Sequence, residues 1–187
     1  MRLFVALEIP EETRRALADL IDRLKDITRS ARWVRPEGIH VTLKFIGEAP
    51  PEKLPAIKEA LAQVRNSAPV EARFRGCGFF PNERRPRVLW IDVEASPNLA
   101  ELAAAVGAGL EPLGIAAEAR AFKPHLTLAR FEGAEGIPRL LEKLQTFEPF
   151  EFSGVRADEF HLFQSQLQRG GARYARLASF PFVEGRS

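Results

Sequence analysis

The sequence predicts an α+β fold: two pseudo-symmetric lobes, each a mainly antiparallel sheet with outer helices, around a central cleft. Three observations predict it. The chain matches itself, since Leu3-Phe4-Val5-Ala6-Leu7-Glu8 answers Leu89-Trp90-Ile91-Asp92-Val93-Glu94 and His40-Val41-Thr42-Leu43 answers His125-Leu126-Thr127-Leu128. The offset drifts from 86 to 85 between these matches, as loop lengths would make it, and falls to 78 where Phe74-Arg75-Gly76 meets Phe152-Ser153-Gly154. Each half then alternates β-rich runs with amphipathic ones. Finally, strand pairs are linked by turn-rich segments, as hairpins are. Two copies are too few for a solenoid. Residues 1–187 therefore read as a single bilobal domain with repeats at about 2–79 and 87–163.

The elements follow in order. Residues 2–9 and 87–95 are β-rich and apolar, a first strand in each half. Helical spacing follows in Leu17, Leu20, Ile21, Leu24 and Ile27, and again in Leu99, Leu102, Val106, Leu110 and Leu113. Pro10 and Pro97 stand near the helix starts, where proline is tolerated, and Gly114 stops the second helix. A strand bearing histidine comes next in each half. Another helix follows, marked by Leu54, Ile57, Leu61 and Val64, and by Ile137, Leu140, Leu141 and Leu144. Residues 70–79 lead through Pro81-Asn82-Glu83-Arg84-Arg85-Pro86 into 87–95, and 150–163 lead through Gly170-Gly171 into 172–180 as a hairpin.

Composition narrows the function. A net charge of +2 is too small for a protein that coats long nucleic acid. The 21 Arg against 6 Lys suit planar phosphate contacts, though a bias in codon usage would give the same ratio. A lone cysteine, Cys77, rules out a disulfide framework or a cysteine-based zinc site and reads as a small buried side chain. The first residues are apolar only from Leu3 to Leu7 before Glu8 and Pro10, which is a strand and not a signal peptide. No apolar run approaches the length of a membrane helix, and a cytoplasmic monomer is expected.

Two of the three histidines sit in matching H-x-T-x strands. Alternation puts His40, Thr42 and Lys44 on one face, with Val41, Leu43 and Phe45 on the other. In the second copy His125 and Thr127 share a face. A lone histidine in a strand is usually structural; two at the same place in a repeated unit point to a shared site in the cleft. Opening a cyclic phosphate requires water to lose a proton and the departing ribose oxygen to gain one. Histidine, with an ordinary pKa of about 6.5, serves either role, and each transfer supplies roughly 10²–10⁴-fold in rate. Threonine hydroxyls can donate to the non-bridging oxygens as their charge grows. Such a set needs no metal. His161, in Glu159-Phe160-His161-Leu162-Phe163, lacks a threonine partner and reads as structural.

The run Arg32-Trp33-Val34-Arg35-Pro36-Glu37-Gly38-Ile39-His40-Val41-Thr42-Leu43-Lys44-Phe45-Ile46-Gly47-Glu48 and the run Phe122-Lys123-Pro124-His125-Leu126-Thr127-Leu128-Ala129-Arg130 closely resemble the 2H phosphoesterase superfamily, in particular its RNA 2',3'-cyclic phosphodiesterases, also called 2'-5' RNA ligases. The resemblance extends to Gly171-Ala172-Arg173-Tyr174 and Phe180-Pro181-Phe182. It implies two lobes around a cleft and hydrolysis of a 2',3'-cyclic phosphate to a 2'-phosphomonoester. It implies His40 as proton donor to the leaving 3'-oxygen and His125 as proton acceptor for water. RNA ends, tRNA fragments among them, are the implied partners, and reversible joining of ends through a 2'-5' bond, with a 5'-hydroxyl in place of water, is a further implied activity. It implies no cofactor and no metal.

Arg130 is a further phosphate candidate, although strict alternation aims it away from His125 unless a bulge intervenes. Lys44 has the right parity but lacks an equivalent in the other copy, where Ala129 occupies the matching place. Arg73, Arg75, Arg84, Arg85 and Arg87 would either steer RNA or be solvated hairpin charges. Phe79 and Phe80 would stack on a base or fill the core, and Trp33 and Trp90 read as core. Three other readings stay open. One is a phosphodiesterase for a small cyclic nucleotide or ADP-ribose cyclic phosphate, and another a non-catalytic clamp for RNA ends. The third is a metalloprotein, for which carboxylate or cysteine ligands near the histidines are lacking.

Overall fold

The first strand, β1 (Arg2–Glu8), is buried from Leu3 to Leu7 on both of its faces. Leu3, Val5 and Leu7 enter the main core, while Phe4 and Ala6 form a separate small cluster with Phe163 on the other face. Such continuous burial belongs to the middle of a sheet covered on both sides. The computed structural model describes residues 1–66, 68–168 and 171–182. In it β1 lies between β3 (His40–Glu48) and β8 (Glu159–Gln168), and β9 (Gly171–Pro181) completes a four-stranded sheet in the order β3-β1-β8-β9. A second sheet has five strands. Its order is β2 (Ala31–Trp33), β6 (His125–Phe131), β5 (Val88–Ala95), β4 (Val70–Phe80) and β7 (Glu151–Ala157). The pairs in both sheets are antiparallel, as expected.

Each sheet draws strands from both halves of the sequence. β4 closes the first repeat yet pairs with β5 in the second sheet. β8 and β9 come last in the chain yet join β1 in the first sheet. The stretch 150–163 is accordingly two strands and not one, broken by a bend at Asp158 that sends β7 and β8 to different sheets. Phe74 and Phe152, matched by sequence, are Cα partners in neighbouring strands.

Four helices cover the sheets. α1 (Glu11–Leu24) buries Leu17, Leu20, Ile21 and Leu24, and its Thr13 hydroxyl donates to the Ser153 carbonyl on β7 at 2.5 Å. α2 (Leu54–Ala62) packs on α3 (Asn98–Leu110), which lies against β3. α4 (Ile137–Gln145) buries Ile137, Leu140 and Leu144. Each fully buried Leu or Ile contributes about 1.5–3 kcal/mol, so these apolar stripes, more than helix propensity, fix the helices in place. Ile27, Val64 and Leu113 lie just past the helix ends and still pack on the core. Gly114 adopts φ +79°, a left-handed conformation that suits a stop. The β8–β9 hairpin forms as expected, although residues 169–170 of its turn lie outside the described residues. No helix among the described residues is long and apolar enough to cross a membrane.

Candidate active site

Both histidine strands carry a one-residue bulge at the same place. Between Val5 and Ala6 the β1–β3 register slips so that Leu43 has no Cα partner. Between Leu89 and Trp90 the β5–β6 register slips so that Leu128 has none. A bulge of this kind reverses which face the following residues present. Arg130 is thereby returned to the face of His125 and Thr127, and the arginine lines the cleft. Lys44 is turned the other way, which corrects its expected place beside Thr42. It is 4% exposed, and its ammonium donates to the Ala116 carbonyl at 2.5 Å with Glu118 at 3.5 Å. Phe45 takes the vacated direction into the cleft and is 53% exposed. In the same registers Glu8 stands opposite His40 and Asp92 opposite His125, so Glu8 corresponds to Asp92 and not to its sequence match Glu94. A slip of two residues keeps the same face, which is why the sequence match concealed it.

β3 and β6 approach within 8 Å, Cα to Cα, across the junction of the sheets. Between them lies a cleft of about 600 Å³ whose lining includes His40, Thr42, Thr127, Arg130 and Tyr174. His125 is not among the lining residues; it begins β6, two residues before Thr127, which does line the cleft. The hydroxyls of Thr42 and Thr127 have no hydrogen-bond partner among the described residues.

The two imidazoles are held alike. His40 Nδ1 lies 2.6 Å from the Gly38 carbonyl and His125 Nδ1 lies 2.8 Å from the Lys123 carbonyl, in each case two residues earlier. A carbonyl only accepts, so Nδ1 carries the proton and Nε2 is left as the acceptor in each neutral ring. Aromatic walls complete the clamp. His40 stacks on Phe4 at 4.6 Å and meets Tyr174 edge-on at 5.3 Å. His125 meets Phe80 edge-on at 5.2 Å and Trp90 at 6.5 Å, and Lys123 lays its ammonium over the Trp90 ring at 4.8 Å. Trp90 fits there because Gly78 lies beneath it; a Cβ at Gly78 would come within 2.4 Å of the indole.

Burial pushes His40 down to about 4, more than its bond to Gly38 restores, with Arg14 and His125 adding smaller like-charge effects. His125 is also lowered, first by burial and then by the Arg130 and Lys123 cations, against its bond to Lys123 and the nearby Asp92. Both rings are thus neutral near pH 7 with no anion bound.

Other candidates settle as follows. His161 is 3% exposed and bonds the Ser179 hydroxyl at 2.9 Å, a structural role as expected. Cys77 is half-buried, with its thiol pushed up to about 11 by burial. Arg73, Arg75, Arg84, Arg85 and Arg87 do not line the cleft. Phe79 is core beside Phe131, whereas Phe80 stacks on Trp90 and walls His125. Trp90 therefore serves both core and site. Among the described residues no group of three or more His, Cys, Asp or Glu is placed to hold a metal ion. Phe45, Phe4 and Tyr174 escaped sequence reasoning. The signal for Phe45 was its place five residues after His40, the place Arg130 takes after His125.

The chain is similar to known proteins along most of its length. A family model described as the 2'-5' RNA ligase superfamily matches residues 9–169. An RNA 2',3'-cyclic phosphodiesterase from Thermus thermophilus is 39% identical over 191 residues, covering 96% of this chain and 89% of that protein. One from Archaeoglobus fulgidus is 34% identical over 180 residues, covering 96% and 99%. A crystal structure of a Thermus thermophilus protein superposes with a TM-score of 0.81 at 36% identity, covering 100% of both chains. With its duplicated histidine strands, swapped sheets and matched bulges, this chain belongs to the 2'-5' RNA ligase superfamily of 2H phosphoesterases.

Proposed function

We propose that this chain opens RNA 2',3'-cyclic phosphate ends to 2'-phosphomonoesters by metal-independent acid–base catalysis. The observation that carries the reading is the paired tether: each imidazole donates a hydrogen bond from Nδ1 to a backbone carbonyl two residues earlier, which leaves Nε2 as the ring nitrogen free for proton transfer. The names of the relatives point to the same substrate. The cyclic phosphate sits between the strands, with its non-bridging oxygens taking hydrogen bonds from Thr42, Thr127 and Arg130. A guanidinium is suited to a phosphate because it offers two donors in a plane. His125 Nε2 removes a proton from water as the oxygen attacks phosphorus. His40 gives its Nε2 proton to the departing 3'-oxygen, leaving the phosphate on the 2'-oxygen. Joining of RNA ends through a 2'-5' bond follows the same path, with a 5'-hydroxyl in the place of water attacking phosphorus as the 3'-oxygen departs.

With both rings neutral at rest, His125 is ready to act as the base, whereas His40 must first gain a proton to act as the donor. The arriving phosphate resolves this. Desolvation is the main penalty on a charged His40, and a bound anion offsets it strongly where water is scarce. Next to His125, Arg130 and Lys123 continue to disfavour the charged ring and keep it a base. The exposed Phe45 and Leu167 at the cleft wall give a nucleobase a flat place to rest and leave an exit for a longer chain, which favours RNA over an enclosed small ligand.

The test is turnover of an RNA oligomer ending in a 2',3'-cyclic phosphate, with EDTA present. The expected product is a 2'-phosphate, with a bell-shaped pH–rate profile, and His40→Ala and His125→Ala should each lower kcat by at least about a hundredfold. Loss of activity in EDTA, or histidine variants that keep their turnover, would overturn the reading.

A further inference from the structure

Tyr174 is the single tyrosine of the chain and stands in β9, on the first lobe. Its ring is fixed from three sides. It meets the Phe4 ring edge-on at 5.0 Å and the His40 ring at 5.3 Å, and a Cβ on Gly38 would come within 2.6 Å of it. Its hydroxyl has no hydrogen-bond partner among the described residues, although the residue lines the cleft with Thr127 and Arg130. The residue is only half-buried, so the O–H is open to a ligand that enters the cleft.

The cleft lining suggests the partner. Arg130, from the opposite lobe, and Arg2 line the same cleft as Tyr174. An anion held by Arg130 therefore lies in the cavity that Tyr174 also walls. Burial raises the pKa of the Tyr174 hydroxyl above the usual tyrosine value, so the proton stays on and is available to donate through the neutral range.

We propose that the Tyr174 hydroxyl donates a hydrogen bond to one non-bridging oxygen of the bound phosphate, so that the anion is gripped by Arg130 from one lobe and by Tyr174 from the other. The step moves no proton and breaks no bond; the hydroxyl stabilises charge that grows on that oxygen as water attacks. The ring has a separate duty, holding His40 against Phe4. This rests on the proposed opening of cyclic phosphates and adds a catalytic residue to it.

Tyr174→Phe separates the two duties, because it keeps the ring and removes the donor. The expected result is a fall in kcat/KM of about 10²-fold, the usual effect of losing one oxyanion donor. The pH limb assigned to His40 should stay in place and so should the melting temperature. The decisive readout uses RNA ends whose cyclic phosphate carries sulfur in place of one or other non-bridging oxygen. The parent enzyme should discriminate against the diastereomer with sulfur at the tyrosine-facing position, and Tyr174→Phe should lose that discrimination. Tyr174→Leu, which removes the ring, should in addition shift the His40 limb. A Tyr174→Phe variant within twofold of the parent and with unchanged diastereomer preference overturns the proposal. Failure of the underlying reading looks different: the parent enzyme itself would leave the cyclic phosphate intact.

Discussion

Phe45 and Arg130 occupy the same place in their strands, five residues after the histidine and just beyond the bulge, and both line the cleft. The duplicated frame thus presents an aromatic ring from one lobe and a guanidinium from the other. A symmetric pair would bind a nucleotide in either direction. This unlike pair gives the cleft a charged end and a flat apolar one.

Arg130→Ala should therefore weaken turnover of cyclic phosphate ends by about 10²-fold, in line with the loss of a charge-assisted contact to the transition state. Arg130→Lys should recover only part of this, because a point charge does not reproduce the two-pronged contact. Steady-state kinetics on one RNA oligomer measures both. Equal activity of the lysine variant and the parent would mean that charge alone matters there.

Lys44 supplies the opposite expectation. Its ammonium is on the far side of the strand, bonded to the Ala116 carbonyl. Lys44→Met keeps the length of the side chain and gives up the bond and the buried charge, which together change stability by only about 1–2 kcal/mol. Turnover should stay within about threefold of the parent. A large fall in kcat with an unchanged urea midpoint would put the lysine back in the cleft.

These two residues show where the sequence was legible and where it was not. His40, His125, Thr42 and Thr127 were readable because the bulges come after them, so period-2 alternation still holds across each H-x-T. Lys44 and Phe45 come after the bulge and were assigned to exchanged faces. No residue type announces the bulge, since Leu43 and Leu128 are ordinary strand residues buried in the core. The helices were legible through apolar spacing. The exchange of β4 and β8 between the sheets was not, because strand pairing depends on contacts distant in sequence that local pattern does not record. Tyr174 was hidden for the same reason: it is far from His40 in the chain and meets it only through the β8–β9 hairpin.

The depressed pKa of His40 makes stability depend on pH. The folded ring titrates near 4 and the unfolded one near the ordinary 6.5, so between these values the unfolded chain binds more protons. The contribution is fully present above about pH 6.5 and is lost as pH falls through about 4, with a total of roughly 3 kcal/mol from a shift of this size. His40→Asn removes the titrating group. Urea unfolding at pH 7 and at pH 4.5 should show the parent losing more stability than the variant, by a large part of that amount. Equal losses would mean that the ring is not desolvated.

Gly38 joins the tether to the tyrosine. Its carbonyl accepts the Nδ1 proton of His40 at 2.6 Å, and its missing side chain is the space into which the Tyr174 ring fits. Its backbone is not in the left-handed region, so alanine is tolerated there on conformational grounds. The steric demand is another matter, because a Cβ would lie 2.6 Å and 3.1 Å from two ring carbons of Tyr174. The ring is already braced against Phe4 and His40 and must push one of them to make room. Small displacements of catalytic groups are costly, of order 10²-fold for about 1 Å. Gly38→Ala should thus reduce kcat/KM by roughly tenfold or more, with a modest change in melting temperature. A double-mutant cycle identifies the cause. If the clash with the ring is responsible, adding Gly38→Ala to Tyr174→Ala should cost almost nothing further. Additive losses would instead trace the defect to the backbone that holds His40.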